Sequence, residues 1–150
     1  MSTKIAKTVQ EVMSTDVKWV KPTAKLSEVA KYMQDRDCGC VLVGENNKLV
    51  GVITDRDIIL RAVAKGLNPA QTEASAVMTP KMLYCRDSDG IEATIRNMGK
   101  NRVRRLLVVD AAKKMVGIVS LGDLAATTAG QAEIGPALAS ICTQSLSFAA

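Results

Sequence analysis

The sequence predicts an α/β (α+β) fold built from one unit used twice. Three observations carry this. The stretch Gly51-Val52-Ile53-Thr54-Asp55-Arg56-Asp57-Ile58 returns as Gly117-Ile118-Val119-Ser120-Leu121-Gly122-Asp123-Leu124, an offset of 117 − 51 = 66 residues, and self-similarity on this scale marks duplication. Each copy alternates continuous apolar runs with stripes of apolar residues at helical spacing. The 150 residues are 47% hydrophobic but only 3% aromatic, so a sizeable core must be built from Val, Ile, Leu, Ala and Met. The expected organisation is a first repeat over 8–66, a second over 73–125, and a tail over 126–150 forming a short helix.

In chain order, each unit opens with a short amphipathic piece ending in Met-Ser or Met-Thr, Thr8 to Met13 and Glu73 to Met78. Extended segments follow at Val17 to Val20 and Met82 to Cys85. Pro22 and the Asp87-Ser88-Asp89-Gly90 cluster mark turns into helices. In the first helix Leu26, Val29, Ala30 and Met33 make one apolar stripe; Ile91, Thr94, Ile95 and Met98 do so in the second. Cys40 to Val43 and Leu106 to Val109 read as strands buried on both faces. They align at 106 − 40 = 66, whereas the helices align at 91 − 26 = 65, which puts one inserted residue near Gly99 to Asn101. After a turn come strands Leu49 to Thr54 and Met115 to Ser120, with Thr54 and Ser120 as N-caps of the next helices. Gly66 is the expected stop of the first of these, and Gly66 to Thr72 the linker. In the tail, Ile134, Leu138, Ile141 and Cys142 share a helical face that packs on the body or on a second chain, with a frayed end after Gln144.

Composition narrows the function. The net charge of +5 is an ordinary basic surface or an attraction for an anion such as phosphate. It concentrates in Lys100, Arg102, Arg104, Arg105, Lys113 and Lys114. One Trp, two Tyr and one Phe leave almost no stacking surface, which argues against a nucleic-acid partner. No apolar run approaches the roughly 20 residues of a membrane helix, and Met1 to Gln10 lacks a signal-peptide core, so a cytoplasmic protein without a membrane partner is expected. With no histidine, a histidine-based zinc site and a histidine general base are excluded. Of Cys38, Cys40, Cys85 and Cys142, only the first two are close in sequence, too few for paired zinc-ligand spacing. They read as reduced cysteines in the interior or as a redox-responsive pair. Without a metal cluster or a nucleophile beside a base, no enzyme activity is expected.

The repeated motif has its own chemistry. A helix start offers unpaired N–H groups to a phosphate, and Thr54 and Ser120 add hydroxyls there. Asp57 and Asp123 follow one turn on, and a carboxylate accepts two hydrogen bonds from vicinal ribose hydroxyls. The alternative is purely local: the hydroxyl residues cap the helix and the aspartates complement its dipole. The two copies are not equivalent. Arg56 has Gly122 as its counterpart, and at an offset of 66 Arg104 and Arg105 stand where the first copy has Cys38 and Gly39.

Taken together, Val12-Met13-Ser14 with Val77-Met78-Thr79-Pro80, and the two Gly-to-Asp motifs, resemble a tandem pair of cystathionine β-synthase (CBS) domains, a Bateman module, of the small stand-alone prokaryotic type, over roughly residues 8 to 125. The resemblance implies two β-α-β-β-α repeats packed sheet to sheet about a pseudo-twofold axis. It also implies clefts that take AMP, ADP, ATP, S-adenosylmethionine or NAD(H), and a disc-shaped homodimer. No cofactor is required; the nucleotide is a regulatory ligand. On this pattern Arg104 and Arg105 are phosphate candidates, or else a solvated strand end. Thr79 and its twin Ser14 line a cleft, and Gly39 leaves room for a base or for close packing. Trp19 reads as packing rather than as a stacking platform. The expected function is a non-catalytic sensor of adenosine-containing ligands acting on an unknown effector protein. The alternative is a ligand-free dimeric interaction protein or a redox- or stress-responsive one.

Overall fold

The computed structural model describes residues 5–46 and 48–149, with side chains to Thr143. The fold is mixed α and β, and the chain divides into two compact units, Val17–Met82 and Met1–Asp16 joined with Leu83–Ala150. The Val17–Met82 unit runs β1 (Trp19–Val20), α1 (Leu26–Arg36), β2 (Cys40–Glu45), β3 (Lys48–Thr54) and α2 (Asp55–Arg61). The other runs β4 (Tyr84–Arg86), α3 (Ile91–Asn101), β5 (Arg105–Val109), β6 (Met115–Ser120), α4 (Leu121–Ala125) and α5 (Gln131–Ala149). Each holds a three-stranded sheet, ordered β1-β2-β3 or β4-β5-β6, with the first pair parallel and the second antiparallel.

Burial follows the periodicities. On α1, Leu26, Val29 and Met33 are buried. Ala30 is exposed, contrary to the expected stripe, and Tyr32 packs against the core in its place because the longer side chain reaches it. On α3 all four stripe residues are buried, and the Thr94 hydroxyl donates to the Gly90 carbonyl at 2.8 Å, which makes its burial affordable. The continuous runs are interior: Val41, Leu42 and Val43 in β2, and Leu106 to Val109 in β5. After α2 a 3-10 turn, Val63–Lys65, leads to Gly66 at φ 70.

Two features differ from the sequence reading. The first is register. Cys40 pairs with Thr54, and Arg105 pairs with Ser120. The offset in β5 is therefore 105 − 40 = 65, and only from β6 onward is it 120 − 54 = 66. The left-handed residues ending α1 and α3, Asp37 and Arg102, agree: 102 − 37 = 65. The extra residue lies in the β5–β6 turn, not near Gly99 to Asn101. A run that is apolar at every position carries no alternation, so a slip of one leaves the pattern intact on paper while turning every side chain to the other face in the sheet. The structural counterparts of Arg104 and Arg105 are thus Gly39 and Cys40.

The second is the placement of the amphipathic pieces. The piece at Thr8 to Met13 packs with the second repeat: Val9 is wholly buried in the cluster of Cys85, Ile91 and Ile95, and Ser14 bridges Ile118 on the edge of β6. The piece at Glu73 to Met78 stays with the first: Ala74 and Val77 join the cluster of Leu26 and Val29, and Thr79 bridges Val52 on the edge of β3. Each piece covers an otherwise open sheet edge. A fourth, short extended segment is thereby added beside each three-stranded sheet.

The tail is a 19-residue helix rather than a short one, with Pro136 inside it. It packs on α3. A Cβ at Gly99 would stand 3.0 Å from the Ala137 Cα, so the two backbones meet closely there. Arg96 and Glu133 form a 3.0 Å ion pair beside this contact, and Ala137 and Ile141 are buried. The backbone stays helical past Gln144 to Ala149.

Candidate functional site

Both motifs fold as reciprocal capping boxes. The Asp57 N–H donates to Thr54 Oγ1 at 3.1 Å, and the Thr54 N–H donates to Asp57 Oδ2 at 2.9 Å. The Asp123 N–H donates to Ser120 Oγ at 3.1 Å, and the Ser120 N–H to Asp123 Oδ2 at 2.8 Å. The local reading is therefore realised in both copies: hydroxyl and carboxylate satisfy helix-start donors that lack partners in the helix. Each hydroxyl keeps a proton to donate outward, since in the box its oxygen only accepts.

Beyond the boxes the copies diverge. In the first, Asp57 Oδ1 lies 3.7 Å from Arg61 Nε. Arg61 Nη1 donates to the Val77 carbonyl at 2.9 Å and reaches the Met78 carbonyl and Thr79 Oγ1, both at 3.4 Å. One guanidinium thus ties Asp57 to Thr79. Arg56 is exposed beside them. The Asp55 carboxylate lies over Gly39: a Cβ there would stand 2.9 Å from Asp55 Oδ2, so Gly39 serves close packing. The charged groups of this mouth, Asp55 and Asp57 against Arg56 and Arg61, cancel.

The second copy inverts this. Leu121 replaces Asp55, Gly122 replaces Arg56, and Thr127 replaces Arg61. Arg104 stands at the position of Gly39; its carbonyl accepts the Leu121 N–H at 2.8 Å, as the Gly39 carbonyl accepts that of Asp55 at 3.1 Å. Arg104, Arg105, Ser120, Leu121, Gly122, Ala125, Ile134 and Leu138 line a pocket of about 440 Å³. Two arginines and a hydroxyl residue share this lining with the apolar Leu121, Ala125, Ile134 and Leu138, and Asp123, outside the lining, is held in its box with Ser120. The structure therefore brings Arg104, Arg105 and Ser120 together, and separately Thr54, Asp57 and Thr79 through Arg61. Ser14 sits on the edge of β6, with Met13 and the Ser14 carbonyl close to Gly117.

Sequence reasoning missed Arg61, which has no partner in the second copy and so breaks the repeat. It also missed the pocket roles of Leu121, Ile134 and Leu138. The Ile134–Leu138 spacing was visible; its destination was not. Cys85 is buried and its thiol is pushed up to about 11, first by burial and then by the Asp89 carboxylate. That makes it an inert interior thiol. Cys38, Cys40 and Cys142 are half-buried, and no disulfide or metal cluster of His, Cys, Asp and Glu occurs among the described residues. Nor is any helix among them long and apolar enough to cross a membrane.

Two β-α-β-β-α units, each with a hydroxyl–aspartate box where the last strand meets its helix, define a duplicated regulatory module. The chain belongs to the CBS domain family, whose model matches residues 9–63 and again 74–129. It is 36% identical over 138 residues to the CBS domain-containing protein YhcV of Bacillus subtilis, covering 92% of this chain and 97% of that one. Among solved structures it resembles a conserved CBS domain protein of unknown function from Thermoplasma acidophilum. That match has a TM-score of 0.79 and 25% identity, and covers 91% of this chain and 76% of the other. It also resembles CBSX2, solved in complex with AMP, at a TM-score of 0.64 and 27% identity over 79% of this chain and 93% of that one.

Proposed function

We propose that this CBS pair is a non-catalytic sensor of adenosine-containing ligands, AMP, ADP, ATP, NAD(H) or S-adenosylmethionine, and that it signals through a homodimer to an effector protein. The observation that carries the reading is the meeting of Arg104, Arg105 and Ser120 in one pocket of about 440 Å³. Two guanidinium groups give a phosphate bidentate, charge-assisted partners, and the Ser120 hydroxyl adds a donor. The helix end adds little, since α4 has only five residues. The AMP bound by CBSX2 supports the same ligand class. In this reading Asp123 takes the ribose hydroxyls. Thr54, Arg56, Asp57 and Thr79 form the weaker second mouth, where Asp55 opposes an anion.

The test is thermal unfolding with each ligand at millimolar concentration, because a ligand that binds only the folded state raises the melting temperature. AMP or a related nucleotide should raise it, and Arg104→Ala with Arg105→Ala should remove most of the rise. No rise with any of the five ligands refutes the reading.

A further inference from the structure

The pocket beside Arg104 and Arg105 is half built by a helix that lies outside the repeat. Ile134 and Leu138 of α5 line it together with Leu121 and Ala125. They are one helical turn apart and so share a stripe. The next stripe of the same helix is fixed: Ala137 and Ile141 are buried against α3, and Glu133 pairs with Arg96 at 3.0 Å. The wall is therefore held in place by contacts separate from the pocket. Leu138 is nevertheless 45% exposed, a large apolar side chain in the lining of the pocket. Gly122, where the first copy carries Arg56, adds no side chain between wall and arginines. In the first repeat α2 runs into a 3-10 turn and the linker instead.

We infer that Ile134 and Leu138 are specificity-determining residues that pack against the uncharged, planar face of the ligand whose anionic end Arg104 and Arg105 hold. This rests on the nucleotide reading above and deepens it. Charge alone would admit any small phosphate; the apolar wall opposite the guanidinium groups favours one carrying a base. A base laid on Leu138 covers the exposed part of its side chain, and removing that contact loses a corresponding share of the transfer free energy.

The experiment is titration calorimetry of the full chain with AMP and, separately, with inorganic phosphate. Leu138→Ala should weaken AMP about fivefold, from roughly half a leucine side chain left unburied, and Ile134→Ala should act in the same direction. Both should leave phosphate affinity unchanged, and Leu138→Met, which conserves volume, should keep AMP affinity within about twofold. If wild type binds AMP and Arg104→Ala weakens it while Leu138→Ala and Ile134→Ala do not, the wall is refuted and the nucleotide reading stands. If Leu138→Ala weakens AMP and phosphate equally, the wall acts only on pocket structure and the inference is overturned. If wild type binds another of the five ligands but not AMP, the same variants are titrated with that ligand and judged in the same way, and if it binds none of the five, both readings fall.

Discussion

Substituting Gly117 by alanine should detach the N-terminal segment from the unit it covers. A Cβ at 117 would stand 2.6 Å from the Ser14 carbonyl oxygen and 3.0 Å from Met13 Sδ. The sulfur belongs to a flexible side chain and can move; the carbonyl cannot without moving the segment. That segment is held by the Ser14 N–H to the Ile118 carbonyl at 2.9 Å and the Ile118 N–H to the Ser14 carbonyl at 3.0 Å. Overpacking costs about 1–3 kcal/mol, and the two hydrogen bonds are worth about 0.5–1.5 kcal/mol each. The expected loss is about 2–6 kcal/mol, a large part of the roughly 5–15 kcal/mol that holds a domain folded. In urea, with a mid-range slope of about 2 kcal/mol per molar, the midpoint should fall by roughly 1–3 M. Gly122→Ala is the control. Its Cβ would meet nothing nearer than Ser120 Oγ at 3.6 Å, and alanine favours the helix by up to about 1 kcal/mol. Adding Met13→Ala to Gly117→Ala should not restore stability, because the carbonyl contact remains. A midpoint for Gly117→Ala equal to that of Gly122→Ala would refute the argument.

Two further predictions concern the Arg61 tie and a buried thiol. Arg61→Met keeps the aliphatic stem but removes the charged donor to the Val77 carbonyl; with the side chain 46% exposed, the cost should be about 1–2 kcal/mol in urea unfolding, and a neutral result would show that water replaces it. Cys85 has a folded pKa of about 11 against an ordinary 9.0. The unfolded chain therefore loses this proton first, so its contribution to stability is complete below pH 9 and is lost as pH rises toward 11. Between those limits the wild-type urea midpoint should fall more steeply than that of Cys85→Val, and parallel curves would refute the assignment.

Much of the fold was legible because the repeat is strict where physics is strict. The Thr54/Asp57 and Ser120/Asp123 boxes are spaced by helix geometry, and the stripe of α3 by its 3.6-residue period. What failed to show was what depends on pairing over distance. The register of β5 hid because Leu106 to Val109 is apolar throughout and fits one slip as well as another. The piece around Val9 was assigned to its sequence neighbour, yet it is buried with Cys85 and Ile91; both repeats end in the same kind of open strand edge, and nothing in an amphipathic dozen residues says which edge it covers. Of the pocket lining, Arg104 and Arg105 were singled out through the family resemblance and Ser120 through the repeated motif, while Ile134 and Leu138 come from a helix outside the repeat, where there was no second copy to compare.

Register then decides the electrostatics. Under the slipped alignment Arg105 takes the place of Gly39, and the glycine is room for a base. In the observed pairing Arg104 takes that place, and Gly39 is the floor under the Asp55 carboxylate. The consequence is paired: where the first copy sets Gly39 under Asp55, the second sets Arg104 beside Leu121. A carboxylate mouth becomes a guanidinium mouth with an apolar floor through two coordinated differences, on β5 and at the start of α4. Arg104 is exposed and Arg105 half-buried, and the pocket they line holds no carboxylate to oppose their like charges. In the first copy Asp57 already answers Arg61 at 3.7 Å, and an incoming phosphate would have to compete with Asp55. The same backbone thus yields one mouth whose charges are opposed within it and one whose arginines meet no carboxylate in the pocket lining.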